Sequence, residues 1–268
     1  SLSSFSTVSS INSSSSIKNE LSKYLKRFLF LIDYMNIAIL FSGGKDSINA
    51  VQLAKQKGWN IKYLLSVKPS RTDCYLFHFA TVEHTKEIAK ILGYSHILVD
   101  CDVADPQKEA DIVKEVVTKN PVDAVVLGGI GLQETQLKVI RDTLFPLGIE
   151  VFASHKDENH ESLMRKLIKD NYEIIITQVA SDGMSKWLGK KLTKDNFEEL
   201  KKDSIKYGFH VGFEGGYADT FVVNGPIFKK RFEVLDTEKV MDTEESGYVI
   251  IKDYIIKDKK SRITQISK

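Results

Sequence analysis

The sequence predicts an α/β fold: a doubly wound, mostly parallel sheet followed by a smaller C-terminal α+β element. Three observations carry this expectation. From Met35 to about Val179, short apolar runs alternate with amphipathic stretches of helical period. The apolar runs lack polar alternation, as strands buried on both faces of a parallel sheet must, because neither side meets water. Glycine or proline also punctuates the junctions, with Gly58 and Gly93 at helix ends and Pro106 at a helix start.

Taken in order, residues 1–16 are dominated by serine and cannot bury enough apolar surface to offset the entropy of ordering, which predicts a mobile tail. Leu21, Leu25 and Phe28 share one face of a predicted amphipathic helix within Ile17–Tyr34, so residues 1–34 read as an appendage and Met35 as the ancestral start. MNIAILF at 35–41 is the first strand. A helix from about Ser47 to Lys57 and the strand IKYLLSV complete a βαβ unit. A helix of about Phe79–Leu92 leads to HILVD, and a helix after Pro106 leads to DAVVLGG. The series continues with a helix near Gln136–Leu144, the strand IEVFA, a helix of about Glu161–Asp170 and the strand YEIIITQV. Residues 35–180 are thus expected to form one α/β unit. After about Ser181 the alternation stops, and a charged helix, NFEELKKDSIKYG, precedes TFVV, RFEVL and YVIIKDYII. These read as strands of a smaller mixed element, residues 181–268, expected to bind substrate.

Composition narrows the classes. A chain of 268 residues, 42% hydrophobic, supports a large core. Its 38 basic and 36 acidic residues give a net charge of +2, which is no footprint for non-specific nucleic-acid binding. No apolar run reaches the roughly 18 residues that span a bilayer, and Phe28–Ile32 is too short for a signal core, so no membrane role is expected. Cys74 and Cys101 are too few and too far apart for a disulfide framework or a zinc ribbon. They read as buried thiols of a protein in the reducing cytoplasm.

The chemistry is expected in the loop between the first strand and the first helix, Ser42-Gly43-Gly44-Lys45-Asp46-Ser47. Gly43 and Gly44 allow close approach of an anion and backbone conformations closed to other residues, so that successive amides can point at phosphate oxygens. Ser42 and Ser47 offer hydroxyls, Lys45 a mobile positive charge, and the helix that follows offers free amides at the positive end of its dipole. A serine-capped helix after a glycine turn would explain the geometry but not six consecutive phosphate-compatible residues. Asp46 beside phosphates implies either a bridging Mg²⁺ or a helix cap, and metal support is the preferred role. The spacing is too short for Walker A.

SGGKDS resembles the pyrophosphate-binding loop, SGGxDS, of the PP-loop ATP pyrophosphatases, whose HUP-like, Rossmann-type fold agrees with the alternation above. The resemblance implies that the loop holds the β,γ-pyrophosphate of ATP and leaves the α-phosphorus as the electrophile. Tyr75-Leu76-Phe77-His78, Gly128-Gly129-Ile130-Gly131, and Glu214-Gly215-Gly216-Tyr217-Ala218-Asp219-Thr220-Phe221-Val222 followed by Asn224-Gly225-Pro226 resemble the diphthine–ammonia ligase family from Met35 to about Phe232. That implies adenylation of the carboxylate of diphthine, a modified histidine on a translation elongation factor, and displacement of AMP by ammonia to give diphthamide.

It also assigns His78, Gly128 and Gly129 to the nucleotide, and Glu134, Gln136, Glu214, Gly215, Gly216, Asp219 and Thr220 to the acceptor, with Lys45, Asp46 and Glu214 catalytic. From the residues alone, His78 reads equally as a cap or packing residue, and the Glu214 segment equally as a glycine turn with solvated acids. The chain departs from the family at Tyr217, where a second glutamate is common, at Ala153-Ser154-His155 and at Val139, near Arg141. A homodimer is left open. The competing readings are a tRNA-modifying PP-loop enzyme, which would want paired cysteines or a basic face, and a nucleotide sensor that binds ATP without turnover.

Overall fold

The computed structural model describes residues 34–69, 81–101, 105–128, 134–154 and 159–259. The serine-rich tail and the helix expected before Tyr34 lie outside them, as does Cys74, while Cys101 is a buried thiol packed on Val67. Five strands form the parallel sheet, β1 (Asn36–Leu40), β2 (Asn60–Pro69), β3 (His96–Cys101), β4 (Ala124–Leu127) and β5 (Glu150–Ala153), in the order β3-β2-β1-β4-β5. Four helices connect them: α1 (Lys45–Gln56), α2 (Thr85–Leu92), α3 (Pro106–Lys119) and α4 (Glu134–Leu144).

The central strand shows why the apolar runs do not alternate. Ile37, Ile39 and Phe41 point into a core shared with α1 and α2, while Ala38 and Leu40 point into a second core with Ala110, Val113 and Val117 of α3 and Ile140 of α4. Helices therefore cover both faces, as the strand composition predicts. Ile39 sits between Leu64 of β2 and Val126 of β4. Because the connection after β1 leaves to one face and that after β4 to the other, the crevice between β1 and β4 is the switch point where ligands of such sheets bind.

The smaller C-terminal element carries a second sheet, antiparallel throughout, with strands β6 (Glu173–Ala180), β7 (Ala218–Asn224), β8 (Lys230–Met241) and β9 (Ser246–Asp258) in the order β7-β6-β9-β8. It departs from expectation in one strand. Its strand β6 is the segment expected to extend the parallel series, so the change of sheet falls between β5 and β6. Its apolar composition fits either sheet, because β6 is buried against α5 (His160–Lys169) and the same core that holds Ile37 and Ile39. The second sheet thus packs on the α1–α2 side, and the two sheets share one apolar cluster with Phe221 of β7 and Phe232 of β8 fully buried.

Local signals set the helix starts. Asp105 caps α3, its carboxylate accepting the Lys108 amide at 2.9 Å, with Pro106 in the first turn. Asn159 caps α5 through the Ser162 amide at 3.0 Å, and a reciprocal Thr193–Asn196 box starts α6 (Lys194–Tyr207). The helix expected over Phe79–Leu92 begins later, since a 3₁₀ turn over Val82–His84 precedes α2.

His96 predicts an acid-sensitive fold. Its Nε2 lies 2.9 Å from Ser66 Oγ and 3.2 Å from Thr85 Oγ1. Burial, reinforced by the charge of Lys86, lowers its pKa from 6.5 to about 4. Over that interval the unfolded chain binds a proton that the native ring refuses, so stability is full above pH 6.5 and declines as pH falls towards 4. His96→Gln is expected to flatten the fall of Tm across this window. His84 and His210, which burial also depresses, should keep part of the slope. An unchanged slope in the variant would remove His96 as its source.

Candidate active site at the sheet switch point

The loop Ser42–Gly44 leaves the end of β1 and turns directly into α1. Gly43 has φ 77°, a conformation that favours glycine, and a Cβ there would come within 2.7 Å of the Phe221 ring. Gly44, by contrast, is extended at φ −77° and ψ 170°, so only the first glycine of the pair is demanded by backbone conformation. Gly44 has no side chain with which to cap α1, and Thr220 Oγ1 from β7 takes the first amide of the helix, that of Lys45. Asp46 lies in the first turn of α1. The serine hydroxyls close the loop on itself: Ser42 Oγ accepts the Gly44 amide at 3.3 Å, and Ser47 Oγ donates to the Gly44 carbonyl at 3.0 Å.

Lys45 is not the mobile charge expected. It is 4% exposed, its Nζ lies 2.5 Å from Asp46 Oδ2, and it sits 6.0 Å from the centroid of the Phe213 ring. The second sheet is the reason. Val222 donates its amide to the Gly43 carbonyl at 2.9 Å, and the Lys45 amide donates to Thr220 Oγ1 at 3.1 Å, so β7 is stitched along the loop. On the other side Gly128, at the end of β4, supports it, since a Cβ at Gly128 would lie 2.6 Å from the Ser47 nitrogen. The Gly128 carbonyl in turn accepts the Ser154 hydroxyl, so a residue that departs from the family pattern ties the end of β5 to the loop's support.

The Glu214 segment folds over this loop. Gly215 and Gly216 both have positive φ, at 104° and 78°, and form the turn into β7. Phe213 is itself at φ 65°, an uncommon conformation for a bulky residue, and is buried against Lys45. Glu214 Oε1 lies 3.4 Å from Nδ1 of His160, the first residue of α5. The His160 ring stands at 85° to His210 with centroids 5.0 Å apart, and the Gly212 and Glu214 amides donate to His210 Nδ1 at 3.3 and 3.4 Å. Burial first, then the charges of His160 and Lys45, lower the His210 pKa, while Glu214 opposes them.

His160, His210 and Phe213 were not legible in the sequence. They are isolated residues in three different local settings, and only Asn159 before His160 marks anything, a helix start. Of the expected site residues, Ser42, Gly43, Gly44, Lys45, Asp46, Ser47, Gly128, Glu214, Gly215, Gly216, Asp219 and Thr220 gather around the loop and the start of β7. Thr220 is buried and its hydroxyl engages the loop. Glu134 and Gln136 fall in the first turn of α4, and their side chains, like His78 and Gly129, lie outside what is described. Arg141 Nη2 donates to the Val151 carbonyl at 3.4 Å, and Val139 packs on the α3–α4 core.

Two family profiles match the chain. The description "Diphthamide synthase N-terminal domain" covers residues 35–144, and "Diphthamide synthase C-terminal domain" covers residues 159–256. The chain belongs to the diphthamide synthase family. It is 28% identical over 235 residues to the diphthine–ammonia ligase of Mus musculus, an alignment spanning 79% of this chain and 87% of that protein. It is 27% identical over 257 residues to that of Homo sapiens, spanning 85% and 95%. The protein of the same name from Schizosaccharomyces pombe is 26% identical over 248 residues, covering 84% of this chain and 40% of that longer one. The family's N-terminal domain carries the Ser42–Ser47 loop and Gly128, and its C-terminal domain carries His160, His210 and Glu214, so the site is assembled from both.

The residues present fit a polyphosphate: a helix start entered through a glycine at positive φ, with a buried lysine in its first turn. For Mg²⁺, Asp46 can supply one carboxylate. Among the described residues no group of three or more His, Cys, Asp or Glu side chains could hold a metal, so the remaining ligands would come from nucleotide phosphates and water, as is usual for this ion.

Proposed function

We propose that the chain is an ATP-dependent amide ligase that adenylates the carboxylate of diphthine on a translation elongation factor. It then aminates that carboxylate with ammonia to give diphthamide, releasing AMP and pyrophosphate. The observation that carries this reading is the meeting of a glycine-turned, lysine-bearing anion loop with the Glu214 cluster at the switch point of the sheet. A nucleotide sensor would need only the first of these.

The chemistry follows from placement. The turn at Gly43 and Gly44, the start of α1 and the Lys45 charge would receive the β,γ-pyrophosphate, which stabilises it as a leaving group. Phe213 and β7 shield Lys45 from water, which strengthens its interaction with developing negative charge. The substrate carboxylate would attack the α-phosphorus from the side on which Glu214 and His160 stand. Mg²⁺, held through Asp46, would offset phosphate charge during that displacement. We place the protein with its elongation-factor substrate in the cytoplasm. No helix among the described residues is long and apolar enough to cross a membrane.

The test is product analysis with elongation factor bearing diphthine, ammonium, Mg²⁺ and ATP. AMP, with a mass change on the factor from carboxylate to amide, is the expected result. AMP without that change would redirect the search to another acceptor, and no nucleotide turnover would favour the sensor.

A further inference from the structure

We propose that His160 and Glu214 form an imidazole–carboxylate pair that removes a proton from the incoming ammonium ion, with His160 Nε2 as acceptor and Glu214 holding Nδ1. This rests on the ligase reading above and names the groups that prepare its nucleophile.

The two histidines of the cluster are in opposite electrostatic positions. His210 receives two backbone amides at Nδ1, so that nitrogen is an acceptor and the proton sits on Nε2; protonating the ring would break both contacts. Its lowered pKa agrees with a ring kept neutral. His160 instead faces the Glu214 carboxylate, whose Oε1 lies 3.4 Å from its Nδ1, an arrangement in which the carboxylate can orient the ring by accepting from Nδ1. Both members are largely withdrawn from water, the side chains 21% and 15% exposed. The site also provides the rigidity that proton transfer requires: Asn159 caps the helix at His160, and Gly212 packs so closely that a Cβ there would lie 2.7 Å from His160 Cβ. Among the described residues, the titratable and charged groups facing the pair are His210 from the loop after α6 and, beyond it, Lys45 from α1. Glu161, next to His160 on α5, is held by Arg165 at 2.8 Å and Lys201 at 2.9 Å.

The chemistry needs such a pair because ammonium, which dominates over ammonia at neutral pH, has no lone pair for attack. One proton passes from ammonium to His160 Nε2, and the freed ammonia forms a C–N bond at the acyl carbon. The tetrahedral adduct loses a second proton to solvent, the C–O bond to the phosphate breaks, and AMP leaves with that electron pair. The products are the amide, AMP and two protons, with no oxidant or reductant required.

The experiment compares two nucleophiles in the full chain. ATP–pyrophosphate exchange with diphthine-bearing elongation factor, without ammonium, reads adenylation alone. Product formation is then followed with ammonium and with hydroxylamine, which is largely neutral near pH 7 and needs no base to release its lone pair. For His160→Gln we expect exchange within a few-fold of wild type, a loss of about 10²-fold or more with ammonium, and a much smaller loss with hydroxylamine. In Glu214→Gln too, the loss with ammonium should exceed the loss with hydroxylamine. Ammonium turnover near wild type in both variants, equal loss with the two nucleophiles, or loss of exchange in His160→Gln would overturn the pair. Failure of the wild-type protein to exchange would instead overturn the ligase reading, and the pair with it.

Discussion

Lys45→Ala is expected to lower ATP–pyrophosphate exchange by about 10²- to 10³-fold, the range seen when one preorganised charge-stabilising donor is removed. The size of the effect follows from the burial of the lysine. At 4% exposure, beside Phe213 and beneath β7, its charge acts on the leaving pyrophosphate with little screening. The same burial predicts a cost in stability, because Asp46 loses the cation 2.5 Å from its Oδ2. That cost should be about 1–3 kcal/mol, visible as a lower denaturation midpoint with an unchanged slope. Lys45→Met, which keeps most of the apolar stem against Phe213, should lose exchange as fully while recovering part of the stability. Full pyrophosphate release by either variant would show that the loop is not the anion site.

Gly128→Ala should be nearly as damaging to activity although it adds one carbon and touches no substrate. The new Cβ would lie 2.6 Å from the Ser47 nitrogen and 2.7 Å from the Asp46 carbonyl carbon, both backbone atoms. Neither side yields easily. Gly128 is tethered through its carbonyl to Ser154, and the loop is tethered through Gly43 and Lys45 to β7. Overpacking of this kind costs about 1–3 kcal/mol, and a loop displaced by about 1 Å can lose on the order of 10²-fold in rate. Gly148→Ala is the control. It adds the same carbon where nothing lies within 4 Å, at φ +70°, so its cost should be backbone strain of about 1–2 kcal/mol, with turnover left intact. Equal activity in the two variants would mean that the end of β4 does not support the loop as described.

Where the sequence could be read, it was read through short-range physics. The helix start at Pro106, the stop at Gly93 and the non-alternating strands each record a constraint that acts over a few residues. The anion loop belongs to this class, because phosphate binding by backbone amides needs consecutive residues. The Glu214 turn was recognisable for the same reason, its two glycines sitting at positive φ. What failed was anything that depended on which segments meet. The apolar run of β6 is compatible with either sheet, and its pairing with β7 and β9 is chosen by register with strands some 40 and 70 residues away.

By itself the sequence determined the α/β order, the loop between β1 and α1, and the family to which the chain belongs. The tertiary structure alone decided that Lys45 is buried rather than mobile, that Thr220 anchors the loop, and that His160 stands against Glu214. The physical reason is common to all three. Burial, ion pairing and the state of a histidine are properties of a surrounding, and here that surrounding is made when an antiparallel sheet closes over a loop from the other end of the chain.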